Sequence, residues 1–130
     1  MTSQVRSRDA IHEALGPDGQ RQLVVVDDGR RGPVSFTLVA GDGGTWVLRG
    51  EVDFACAPAL ASALRRTRGT PWVVDVAGLE FVDVAGMRAI AAAAAGAGTP
   101  LELHHASPRL RRLWAIAGFA RAAAQVLLVP

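Results

Sequence analysis

The chain contains no lysine, only one cysteine (Cys56), and no apolar run long enough to cross a membrane. Each absence excludes something. A lone cysteine cannot close an internal disulfide and gives no basis for a thiolate metal cluster, so the expected setting is reducing and cytoplasmic. A membrane span needs ~18 consecutive apolar residues, and the alanine run at 91–95 is broken by Gly96 and Gly98. The first residues carry charge where a secretory signal would carry its apolar stretch, so export is not expected. All 14 cations are arginines, set against 12 carboxylates for a net charge of +2. A DNA-binding surface needs a clustered excess, so neither DNA nor a membrane is an expected partner.

What is present is 130 residues, half of them apolar. A chain of this length buries roughly two-thirds of its unfolded surface in one domain without help from a metal or disulfide. Residues 1–33 read as an N-terminal extension, an arm of short elements. Residues 7–15 predict a short helix with Ile11 and Leu15 on one side, ending at Gly16 and Pro17. Residues 23–26 predict a strand and 27–33 a loop.

The domain proper spans 34–130. Val34, Phe36 and Leu38 alternate with Ser35, Thr37 and Val39; Gly41-Asp42-Gly43-Gly44 reverses the chain, and 45–49 resumes as a second strand, making an antiparallel hairpin. Cys56, Leu60, Ala63 and Leu64 recur at helical spacing, with Pro58 tolerated in the first turn. Residues 72–76 form a central strand, 77–82 a loop, and 84–95 a helix with Asp83 as N-cap. A strand at 101–105 follows. A third helix opens at Ser107 and Pro108, carries Leu110, Leu113, Trp114 and Ala117 on its apolar stripe, and takes Gly118 as C-cap. Residues 126–129 predict a final edge strand. The order β-β-α-β-α-β-α-β implies a single α/β sandwich: a mixed, mostly parallel sheet with an antiparallel hairpin at its margin and helices packed on it.

No catalytic constellation emerges. His104 and His105 are expected on opposite faces of one strand, unable to share an ion. There is no nucleophile elbow and no phosphate-cradling glycine loop. Asp75, Glu80 and Asp83 read as a cap and loop solvation rather than a catalytic pair. Trp46, Trp72 and Trp114 fall on predicted core positions. Arg65 and Arg66 sit in the last turn of the first helix, where cations suit the negative helix end, and Arg109, Arg111 and Arg112 form a solvated face. No cofactor, no metal site and no enzymatic activity are expected.

The informative stretch is Asp75-Val76-Ala77-Gly78, then Phe81-Val82-Asp83-Val84-Ala85-Gly86-Met87, with Leu48-Arg49-Gly50-Glu51-Val52-Asp53 upstream. Over about residues 34–119 it resembles the STAS family, the domains of sulfate transporters and bacterial anti-sigma factor antagonists. Family members carry Asp-Leu-x-Gly at a strand end, then an aromatic residue, then Asp-Ser-x-Gly-Leu opening a helix. The resemblance implies a domain that binds an anti-sigma factor of the ATP-binding serine-kinase type, releases a sigma factor for transcription, and is switched off by phosphorylation of the motif serine. A phosphate would add ~2 negative charges at the helix start.

This chain departs from its relatives at that serine. Asp83 matches the motif aspartate and Gly86 the glycine, but the serine position holds Val84, and Met87 replaces the leucine. Val84 has no hydroxyl, so no phosphorylation is expected there. The implied partner-binding set is Asp53, Asp83, Val84, Ala85, Gly86, Met87 and Arg88, with the two aspartates and Arg88 as a charged rim. Two bland readings stand beside it: Asp53 as a cap of the first helix, and Val84 packing on the preceding loop. A ligand- or nucleotide-sensing STAS domain is the alternative function, and an exposed edge strand leaves a homodimer open.

Overall fold

The computed structural model describes residues 11–15, 21–25, 36–117 and 125–130. Seven strands and three α-helices are described: β1 (Ile11–Leu15), β2 (Arg21–Val25), β3 (Phe36–Ala40), β4 (Trp46–Val52), α1 (Ala57–Arg65), β5 (Trp72–Val82), α2 (Val84–Ala94), β6 (Leu101–His104), α3 (Pro108–Ile116) and β7 (Val126–Val129). They form one sheet in sequential order, β1 to β7. The pairings from β1 to β4 are antiparallel, and those from β4 to β7 are parallel. A parallel neighbour requires a crossover, which α1, α2 and α3 supply in turn. The mixed α/β architecture expected from the sequence is therefore the one observed.

Alternation along the strands sets the core. Phe36, Leu38, Trp46, Leu48, Trp72, Val74, Leu101, Leu103 and Val126 are buried and join Leu60, Leu64, Met87, Ile90, Leu110 and Trp114 from the helices in one cluster. Each fully buried aliphatic side chain contributes roughly 1.5–3 kcal/mol. The alanines do a different job. Ala59, Ala63, Ala89 and Ala93 are buried, and their small side chains let α1 and α2 pack closely together. All three tryptophans lie in this core, as does Cys56.

Two local expectations are corrected. Residues 11–15 are a strand rather than the end of a helix, paired from Ile11↔Val25 to Leu15↔Arg21. A spacing of four is even, so Ile11 and Leu15 share a face in a strand as well as in a helix; sequence spacing alone cannot separate the two. Residues 77–82 are not a loop but the second half of β5, paired with β4 through Gly78↔Arg49, Leu79↔Gly50, Phe81↔Glu51 and Val82↔Val52. The register shifts twice along this pairing, which erases the period-two pattern that identifies a strand. Gly78 fits because a Cβ there would stand 2.8 Å from Cγ of Arg49, whose stem crosses it. The expected loop at 27–33 and the expected cap Gly118 lie outside the described residues.

Candidate functional site

At the carboxyl end of β4 and β5 the chain leaves the sheet twice, once into α1 and once into α2. Asp83 joins the two exits. As N-cap of α2, its Oδ1 accepts from the amide of Gly86 at 2.8 Å, and its Oδ2 accepts from the amide of Phe54 at 3.1 Å. Its own amide donates to the carbonyl of Val52 at 3.2 Å. One side chain thus ties the β4–α1 turn to the start of α2. Asp53 acts within its own turn, where Oδ1 accepts from the amides of Ala55 at 3.0 Å and Cys56 at 3.3 Å. It closes the turn before α1 rather than capping the helix, whose N-cap is Cys56 with no side-chain capping bond.

Gly86 makes this junction possible. A Cβ there would lie 2.7 Å from Cγ2 of Val82, 2.8 Å from Cγ1 of Val52 and 3.2 Å from the Val52 carbonyl oxygen. The first turn of α2 rests directly on the ends of β4 and β5, and only hydrogen fits between them.

The expected binding set divides by exposure. Gly86 and Met87 are buried, Met87 at 2% exposure, and face the core. Neither can be touched from outside, so both leave the list of contacting residues and serve to seat the helix. Asp83 is half-buried with both carboxylate oxygens engaged, which makes it a staple rather than an open rim charge. Ala85 is half-buried; Asp53, Val84 and Arg88 are exposed.

The surface also holds two residues that the sequence reading passed over. Phe54 is 74% exposed and Phe81 47%, matching Val84 at 47%. Phe54 is bonded through its amide to Asp83, and Phe81 lies two residues before it, so all three apolar side chains emerge at the same end of the sheet. Scattered exposed apolar residues are ordinary; three at one end of the sheet make that end the candidate site. Phe81 was legible as the motif aromatic; its exposure was not, because the register shifts of β5 hide which face it takes. Glu51 and Glu80, both exposed, add acidic groups beside it.

The other candidate residues settle elsewhere. β6 ends at His104, and His105 turns into the left-handed region (φ 64°), so the imidazoles do not point to opposite faces but meet edge-on with ring centroids 6.5 Å apart. Each faces a carboxylate: His104 Nε2 lies 2.9 Å from Glu102 Oε1, and His105 Nδ1 lies 3.1 Å from Asp75 Oδ2. Among the described residues no group of three or more His, Cys, Asp or Glu is placed to hold a metal ion. Arg68 leaves its cluster to cap α2, donating to the carbonyls of Ala93 at 2.7 Å and Ala95 at 3.4 Å. No described helix is long and apolar enough to cross a membrane.

A sequential mixed sheet with a glycine-seated, aspartate-capped helix after β5 is the arrangement that the STAS resemblance implies. Residues 39–130 match the family described as "Mlab, STAS domain", and the chain belongs to the STAS family. The crystal structure of an anti-sigma factor antagonist from Mycobacterium paratuberculosis is similar, with a TM-score of 0.49 and 22% identity over 90% of this chain and 91% of that one. A comparison with curated proteins gives no match.

Proposed function

We propose that this chain is a cytoplasmic protein-interaction regulator of the anti-sigma factor antagonist kind. It works by binding rather than by catalysis. Its partner is an ATP-binding, kinase-like anti-sigma factor, and binding frees a sigma factor. The observation that carries the reading is the apolar group Phe54, Phe81 and Val84 exposed around the capped start of α2. Apolar anchors with a polar rim are the anatomy of a protein-binding site. Asp53, Glu51 and Glu80 supply acidic rim groups and Arg88 a basic one; such charges act mainly on association rate and selectivity.

The usual switch is absent by chemistry. A phosphoryl acceptor needs a nucleophilic oxygen, nitrogen or sulfur, and the Val84 side chain is hydrocarbon. The surface is therefore permanently in its unmodified state at this position: binding is constitutive, or control passes to another residue, to abundance or to the partner. The test uses a purified anti-sigma kinase from the same organism and radiolabelled ATP. The wild-type chain binds and stays unlabelled, whereas Val84→Ser becomes labelled and Val84→Asp no longer binds. Stoichiometric label on the wild-type peptide containing residues 83–86, or full binding by Val84→Asp, would refute the reading.

A further inference from the structure

Beside the exposed apolar group lies a cleft that family membership does not account for. It runs between the second half of β5 and the start of α3 and is walled by Val76, Leu79, Phe81 and Val82 on one side and Leu110 and Leu113 on the other. Glu80 from β5 and Arg109 from α3, both exposed, line it as well. We propose that this cleft is a socket for a single aliphatic side chain of the protein partner, with Glu80 and Arg109 gripping oppositely charged residues on either side of it. The proposal rests on the docking surface argued above and names what the partner brings to it.

Size selects the occupant. The cleft measures about 60 Å³, whereas sites for drug-sized ligands run to roughly 300–1,000 Å³. The cleft is too small to enclose a nucleotide, whereas one branched aliphatic side chain is of its scale. Chemistry agrees with size. The Ser107 hydroxyl, which also lines the cleft, already accepts from the amide of Leu110 at 3.0 Å. The start of α3 is therefore capped, and the larger share of the lining side chains is aliphatic or aromatic.

Continuity and charge point to a protein as the source. Phe81 belongs at once to the cleft wall and to the exposed apolar group, and Val82 leads directly into Asp83. A partner seated on Val84 and Phe54 therefore reaches the cleft without leaving the surface. Glu80 and Arg109 are both exposed, and among the described residues neither makes an ion pair. In an extended segment, residues two apart share a face. The complementary partner sequence thus places Leu, Ile or Met in the socket, an acidic residue two positions to one side against Arg109, and a basic residue two positions to the other against Glu80.

Selection of displayed random peptides on the immobilised full chain tests this. The expected result is a shared pattern of acid, spacer, aliphatic, spacer, base, in either chain direction. Leu113→Trp fills the socket and lowers recovery at least tenfold. Because Leu113 is half-buried, a second variant at an exposed position, Arg109→Glu, guards against misfolding. It keeps the aliphatic residue but exchanges the acidic position for a basic one. Peptides without this pattern, no peptides at all, or a pattern unmoved by Arg109→Glu would overturn the socket. Failure of the docking reading shows separately, as undiminished binding of the intact anti-sigma kinase to Val84→Asp.

Discussion

At the scale of single residues, Asp83 and Gly86 seat the start of α2, and Val84 is exposed there. Replacing Asp83 by alanine removes an N-cap and a tie between two chain segments, and the expected loss is ~1–2 kcal/mol. Asp83→Asn keeps one acceptor oxygen and should lose less; urea denaturation of the three proteins orders them. Gly86→Ala forces a methyl into the space held by Val52 and Val82, and overpacking of this kind costs about 1–3 kcal/mol. A variant as stable as wild type in the same titration would show that the first turn of α2 can lift off the sheet. Val84→Asp acts oppositely on stability. A carboxylate in the first helical turn gains roughly 0.3–1 kcal/mol from the helix dipole, so the thermal midpoint should hold or rise while binding is lost. That separation of fold from function distinguishes a surface residue from a packing residue.

At the scale of elements, the ends of the helices are fastened by side chains from other elements. Trp72 Nε1 donates to Thr67 Oγ1 at 2.8 Å, and that hydroxyl donates to the Leu64 carbonyl at 2.6 Å. Thr67→Val leaves the buried indole N–H without its acceptor, at an expected cost of about 1–3 kcal/mol in urea. Arg68 lies over the Trp72 ring at 5.7 Å while bonding to the last carbonyls of α2. None of this was legible in the sequence, where Arg68 looks like one more member of a basic cluster; a cap given to another helix leaves no local pattern. The caps Asp83 and Ser107 were legible because they act within three residues. The second half of β5 was hidden by its register shifts, and β1 by a spacing common to helix and strand.

At the scale of the whole molecule, the parallel half of the sheet followed from strand–helix alternation and the β3–β4 hairpin from a glycine turn, because both obey general rules of chain connection; the extension of the antiparallel side by β1 and β2 did not, since residues 1–33 read as an arm. The capped, glycine-seated start of α2, where the candidate site is proposed, followed from the aspartate and glycine that begin the helix. Its outer surface did not, since exposure of Phe54 and Phe81 depends on how two strand ends are cut off, and the burial of Met87 on which way a helix rolls. The account as a whole stands on that surface being where a partner lands. Calorimetric titration of the purified anti-sigma kinase into wild type, Phe54→Ala and Val84→Asp measures this most directly. The account predicts that each variant binds at least tenfold more weakly, about 1.4 kcal/mol, with its thermal midpoint no lower than that of wild type; equal affinity across all three proteins would contradict it.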